Sequence, residues 1–248
     1  MRWLISKFVR QVKTFDLDGI QVHVMPASAP FDDDKVLATL SDIERAHASS
    51  IRAPMRRQEF VRSRWLVRHL TGTDEILKRG PHGEPSWPNG WTGSITHKDG
   101  IVAVCMVSDQ RQRSLGIDLE RADRVGSHLT RKILVPAECK ILSKAFATQL
   151  DDANSEAGKG AEILGAAFSV KESLFKSHFP LGKTFFYFHD AEITSAQKTR
   201  RGGKVEGVVK IATTPQHPPG SSWMGTFLDI EIDAKSYVLS CVQTDICQ

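Results

Sequence analysis

The chain has 248 residues, with 33 Lys and Arg against 29 Asp and Glu and a net charge of +4. Hydrophobic residues at 40% and charged residues at 25% are those of a soluble globular protein, with material for one large domain or two small ones. So small a positive excess suits an anionic small molecule or an acidic protein partner and is no argument for nucleic acid, and no apolar run approaches the ~18 residues of a membrane span.

The N-terminal MRWLISKFVRQVK is amphipathic and basic, but Lys7 interrupts its apolar stretch and no small-residue cleavage site follows, so it does not read as a signal peptide. A short strand is predicted over residues 20–25 (IQVHVM). Asp32 is a candidate cap for a helix running through residues 37–46. A longer helix over 55–69 carries Arg56, Arg57, Arg62, Arg64 and Arg68, with Phe60, Trp65 and Leu66 for burial. So many guanidiniums with few acidic partners point to an anion, because the guanidinium fork matches phosphate oxygens bidentately.

Residues 80–90 (GPHGEPSWPNG) form a turn-rich loop with an aromatic anchor. GSITH at 93–97 and IVAVCMV at 101–107 read as paired strands about a turn at Lys98, Asp99 and Gly100. The polar connector 108–114 marks a join, giving an N-terminal subdomain of 1–112 and a C-terminal one of 113–248. Cys105, Cys139, Cys241 and Cys247 form no CxxC pair and have no His at metal spacing, which reads as reduced thiols in a cytoplasmic protein.

LGIDLE at 115–120 alternates with period two, Leu115, Ile117 and Leu119 on one side and Gly116, Asp118 and Glu120 on the other. The two carboxylates then stand roughly 7 Å apart and repel unless a cation lies between them. Gly116 beside them leaves room for a ligand to approach the backbone. Residues 125–147 read as helices broken at Pro136, and 151–160 (DDANSEAGKG) as a mobile polar loop. AAFSVKESLFKS at 166–177 is a helix in which Glu172 and Lys176 share a face at i, i+4. A third carboxylate from Glu172 completes an all-oxygen site for a hard cation, Mg²⁺ first. FPLGKTFFYF at 179–188 passes from a turn into an aromatic strand, and 205–213, 223–232 and 237–243 add strands of an antiparallel sheet. Strands and helices mixed within each half indicate an α+β fold, with neither a GxGxxG nor a P-loop.

Taken together, GSITH (93–97), GIDLE (116–120) and FSVKESLFK (168–176) resemble the three signature blocks of the 4′-phosphopantetheinyl transferases, in the single-chain bacterial Sfp/EntD type. The region of Arg57 and Arg64, Trp87-Pro88 and PLGKTFFYF (180–188) belong to the same resemblance, which spans about residues 50–190. It implies two pseudo-twofold-related subdomains with antiparallel sheets and packed helices, and coenzyme A bound between them. The implied reaction moves the phosphopantetheine arm of coenzyme A onto a serine of an apo acyl or peptidyl carrier protein, releasing adenosine 3′,5′-bisphosphate. A cytoplasmic monomer dependent on Mg²⁺, with Mn²⁺ as the alternative, is the expected form.

By the same resemblance Asp118, Glu120 and Glu172 match the metal ligands, Glu172 also the general base, and Lys176 the lysine on the pyrophosphate. Thr96 and His97 match a pair touching coenzyme phosphates, Arg57 and Arg64 the 3′-phosphate contacts, and Lys171 is counted with the coenzyme contacts. Glu84 stands where some relatives carry a Lys. Arg121, Arg124, Arg131 and Lys132 offer a basic docking face for an acidic carrier. Two other classes stay open on the residues alone: a different Mg²⁺-dependent enzyme acting on a nucleotide diphosphate, and a non-catalytic module binding coenzyme A or a carrier.

Overall fold

A computed structural model describes residues 11–108, 113–122, 124–148, 150, 159–214 and 217–245. Of the loop expected at 151–160, residues 151–158 lie outside the described residues and 159–160 are helical instead; most of the connector at 108–114, most of the N-terminal segment and Cys247 also lie outside. Among those residues no helix is long and apolar enough to cross a membrane. The chain divides into two compact units, Met1–Asp16 with Ile20–Ser108, and Leu17–Gly19 with Asp109–Gln248. Each mixes helices with antiparallel strands, the α+β class expected.

The N-terminal unit contains β1 (Lys13–Leu17), β2 (Ile20–Met25), α1 (Asp33–Thr39), α2 (Asp42–Ser50), α3 (Pro54–Thr71), the short β3 (Lys78–Arg79) and β4 (Pro85–Ser86), and the hairpin of β5 (Trp91–Lys98) and β6 (Ile101–Ser108). Its main sheet runs β1-β2-β6-β5. The hairpin turns on Asp99 and Gly100, with φ of +52° and +81°. Positive φ at both central residues gives the tight turn whose twist matches paired strands. Val102 and Val104 of β6 pack on Leu66 and Val67 of α3, which fixes that helix across the sheet.

Asp32 caps α1 by accepting from the Lys35 N–H at 3.1 Å. The single helix expected over 37–46 is two, because Ser41 starts a new one. Its Oγ accepts from the Glu44 N–H while the Glu44 carboxylate accepts from the Ser41 N–H, a reciprocal cap. Helix α3 has Pro54 in its first turn and stops at Gly72, whose φ of +67° suits a residue without Cβ.

The C-terminal unit contains β7 (Arg113–Arg121), α4 (Thr130–Ile133), α5 (Pro136–Phe146), α6 (Lys159–Gly182), β8 (Ala191–Thr199), β9 (Gly202–Val209), β10 (Ser221–Ile232) and β11 (Lys235–Asp245). Its five-stranded sheet has the order β7-β11-β10-β9-β8, with Asp118 opposite Ser240 and Glu120 opposite Val238. Helix α6 lies over β7 and β11 and buries Leu164, Ala167, Val170 and Leu174 in the core.

Close approach of this helix to the sheet depends on small residues. Ser169 and Ser173 both meet the Ser240 hydroxyl, at 2.8 and 2.7 Å, and Ser177 meets that of Thr244 at 3.2 Å. Opposite them a Cβ on Gly116 would fall 1.8 Å from the Ser173 carbonyl oxygen and 2.6 Å from the Ser177 nitrogen. Gly116 therefore admits the helix backbone itself, not a ligand, and the expectation of ligand room there is corrected.

The aromatic strand expected over 179–188 is also absent. Helix α6 continues to Gly182 with Pro180 inside its last turn, where the proline cannot donate to the Lys176 carbonyl one turn back. Lys183 closes the helix in a left-handed conformation, φ +51°, its N–H donating to the Phe179 carbonyl at 2.9 Å. Regular strand resumes only at Ala191.

Candidate functional site

Two clusters carry the chemistry, one in each unit. In the C-terminal unit, close packing of α6 on β7 sets the Glu172 and Lys176 face of the helix against the Asp118 face of the strand. Lys176 Nζ lies 2.6 Å from Asp118 Oδ1, and Asp118 is buried. Burial raises the proton affinity of Glu172, the Asp118 and Glu120 carboxylates add to it, and the Lys176 ammonium opposes them. The three carboxylates and the ammonium are thus one electrostatic cluster, as the spacing of LGIDLE and KESLFK predicts.

Among the described residues no group of three or more His, Cys, Asp or Glu side chains converges closely enough to hold a metal ion. The donor chemistry nevertheless suits one. Mutually repelling carboxylates, all oxygen and no sulfur or imidazole, are the ligand set of Mg²⁺ or Mn²⁺. The Lys176 ammonium supplies the positive charge beside Asp118.

Lys171 sits elsewhere than the expected coenzyme contact. Its Nζ is buried 2.6 Å from Glu138 Oε1 and donates to the carbonyls of Ile133 and Phe188, each at 2.9 Å. Burial lowers its pKa and the Glu138 carboxylate works against that. Three acceptors around three N–H bonds leave the ammonium committed to the fold. Glu138 is tied in turn to the N–H groups of Val135 and Ile193, at 2.7 and 2.8 Å. Beside Glu172 opens an apolar cavity of about 260 Å³, lined by Phe175, Phe185, Phe186, Tyr187 and the stem of Lys171. Phe185 and Tyr187 are 59% and 81% exposed, so an apolar ligand or partner there would cover them.

In the N-terminal unit a cavity of about 440 Å³ is lined by Arg56, Phe60 and Arg64 of α3, His47 of α2, Arg79 of β3, and Ile95 and His97 of β5. Arg64 is 7% exposed, its guanidinium carbon 4.2 Å from the centre of the Phe60 ring. Its Nε has no hydrogen-bond partner among the described residues. Burial pulls its pKa down to about 10, with the Glu44 carboxylate opposing, so it stays cationic at neutral pH. Burial and then Arg79 and Arg64 lower the pKa of His47. His97 Nδ1 stands 3.1 Å from the buried Glu59 Oε2. The Arg56 guanidinium approaches both His97 ring nitrogens, at 2.9 and 3.0 Å.

Of the expected residues, Arg64 and His97 meet in this cavity. Arg57 is exposed one position beyond Arg56, a rotation of about 100° around the helix, and Arg56 rather than Arg57 lines the cavity. Thr96 is buried on the face of β5 opposite to Ile95 and His97, as strand alternation requires. Arg62 and Arg68 serve packing, the first donating to the Ala27 carbonyl at 3.1 Å and the second pairing with Glu44. Glu84 folds back on its own loop and accepts from the His82 N–H at 3.0 Å. Sequence reasoning did not single out His47, Glu59 or Arg79. A basic dipeptide directly before the GPHGEP loop is the one signal for Arg79.

The family model of the 4′-phosphopantetheinyl transferase superfamily matches residues 114–241, and that of the 4′-phosphopantetheinyl transferase N-terminal domain matches residues 44–108. The chain is 32% identical over 143 residues to the 4′-phosphopantetheinyl transferase PptT of Mycobacterium tuberculosis, covering 56% of this chain and 58% of that protein. It is 30% identical over 144 residues to the 4′-phosphopantetheinyl transferase Npt of Nocardia iowensis, covering 56% and 59%. The matches thus span less than two thirds of the length of these relatives. Among solved structures, the holo-[acyl-carrier-protein] synthase of Thermotoga maritima is similar at a TM-score of 0.34 and 18% identity, over 52% of this chain and 62% of that one, too distant to carry an argument.

Proposed function

The chain belongs to the 4′-phosphopantetheinyl transferase superfamily, and on that premise we propose that it moves the phosphopantetheine arm of coenzyme A onto a serine of an apo acyl or peptidyl carrier protein. The products are holo carrier and adenosine 3′,5′-bisphosphate. The observation that carries this reading is the coupled cluster of Glu172, Asp118, Glu120 and Lys176 on α6 and β7.

The serine oxygen attacks the phosphorus that bears the pantetheine arm, the bond to the nucleotide phosphate breaks, and the serine proton must leave. Such a displacement needs charge neutralisation and in-line positioning more than covalent help. Glu172 takes the serine proton. A bound cation would lower the proton affinity of Glu172, so it accepts the proton as a weak base, directly or through a water. Lys176 keeps positive charge where the departing phosphate gains negative charge. Asp118, Glu120 and Glu172 would hold a divalent cation, Mg²⁺ before Mn²⁺, which when bound neutralises the diphosphate. By itself, the cavity of Arg56, Arg64, Arg79 and His97 suits a phosphate group, and that beside Glu172 an apolar chain. The working form is a cytoplasmic monomer.

The deciding experiment is the intact mass of an apo carrier protein incubated with the protein, coenzyme A and Mg²⁺. A gain of about 340 Da that disappears with EDTA is expected. No gain with several carriers while coenzyme A still binds would favour a non-catalytic binding module instead.

A further inference from the structure

Three arginines and two histidines face the cavity of the N-terminal unit, and a buried carboxylate stands behind one of those histidines. Glu59 is only 3% exposed. One oxygen accepts from the Gly100 N–H at 3.0 Å, at the turn of the β5–β6 hairpin, and the other lies 3.1 Å from His97 Nδ1. Its remaining charged neighbour is Arg56, at 3.8 Å. A buried negative charge weakens any anion site around it unless it does something for a group that touches the anion.

We propose that Glu59 is a positioning residue for His97: its second carboxylate oxygen, 3.1 Å from Nδ1 and with no hydrogen-bond partner of its own among the described residues, draws Nδ1–H toward it so that Nε2–H is presented to a phosphate oxygen of the substrate. This rests on the reading of the cavity given above. The Gly100 contact fixes the carboxylate to the hairpin, so its free rotation is spent before the imidazole arrives. His97 stands at the end of β5, two residues from that turn, which makes the distance between carboxylate and ring a property of the hairpin itself. Among the described residues, the charged and titratable groups around the ring include Glu59 and Arg56 from α3 and, across the cavity, Arg64, Arg79 and His47. A phosphate oxygen received by Arg56 is within reach of Nε2 as well, since the two nitrogens are 3.0 Å apart.

The test is a double-mutant cycle on the full chain, with adenosine 3′,5′-bisphosphate as the calorimetric probe and Glu59→Gln, His97→Ala and the pair as variants. Gln keeps an oxygen for Gly100 and removes only the charge. Glu59→Gln should weaken binding roughly tenfold in the native background and less than about twofold beside His97→Ala. An equal factor in both backgrounds, or no effect of either single change, overturns the proposal. The imidazole Nδ1 proton of His97, assigned by its loss in His97→Ala, gives a readout on the unaltered protein. A protected downfield signal is expected, and its absence overturns the proposal even if Glu59→Gln does not fold. A native protein that loads carriers but gives an additive cycle sinks this inference alone. One that binds neither coenzyme A nor the bisphosphate sinks the reading beneath it.

Discussion

The Lys176 ammonium lies 2.6 Å from Oδ1 of Asp118, joining helix α6 to strand β7. On the proposed reading a divalent cation would draw on the same carboxylate, and Asp118 would then balance metal, lysine and substrate charge. Lys176 is 29% exposed at its side chain while that of Asp118 is 6% exposed, so the pair sits at the mouth of the site with its acid on the inside.

Asp118→Asn removes the negative charge and keeps the shape. Carrier loading should fall at least ~100-fold, because the diphosphate loses its neutralising partner. The rise in melting temperature that Mg²⁺ gives the native protein should vanish in the variant. A variant still stabilised by Mg²⁺ would remove Asp118 from the metal site. Glu172→Gln should likewise end turnover while leaving coenzyme A binding within about threefold. Near-native loading by that variant would remove Glu172 as the base.

The part of this site legible in the sequence is the part that obeys periodicity. Asp118 and Glu120 at i, i+2 and Glu172 and Lys176 at i, i+4 are placed by strand and helix geometry alone. What stayed hidden depends on phase or on partners distant in the chain. Arg56 and Arg57 are indistinguishable in composition, and only the helix phase, fixed by Leu66 and Val67 against the sheet, turns the first into the cavity. Lys171 looks like a site residue because it adjoins Glu172, and its true partner Glu138 lies on another helix. Glu59 reads as one acid in a basic helix until the hairpin turn folds onto it. The residues following Phe179 have strand composition, but α6 was already committed by its core contacts and ran past Pro180.

Gly116→Ala tests whether helix contact sets the site. The added carbon would lie 1.8 Å from a backbone oxygen of α6, which cannot rotate away as a side chain would. A loss of at least ~2 kcal/mol in urea denaturation is expected, with carrier loading reduced beyond what the unfolded fraction explains. Native stability and activity in this variant would contradict the packing described for β7 and α6.

Lys171→Met separates structure from coenzyme binding. Without the ammonium the Glu138 carboxylate is left buried with backbone donors alone, at an expected cost of ~3–5 kcal/mol. Adding Glu138→Leu should restore part of that loss, since the pair then disappears as a unit. Coenzyme A affinity of the folded double variant should match the native protein. Unchanged stability with weakened coenzyme binding would return Lys171 to the ligand.

Acid should unfold the C-terminal unit partly through His178. Burial, and then the imidazole of His217 with its ring centre 5.0 Å away, push the His178 pKa down to about 4 from an ordinary 6.5, against the bond to the Leu174 carbonyl. The folded state therefore keeps this imidazole neutral over a range in which the unfolded chain takes up a proton. Stability is complete above about pH 6.5 and drains as pH falls toward 4, by roughly 3 kcal/mol across the window. Urea denaturation between pH 7.5 and 4.5, native protein against His178→Gln, isolates this contribution from that of the carboxylates. The gap between the two stability curves should close steadily on the acid side. A gap that stays constant with pH would mean that His178 is not held neutral in the fold.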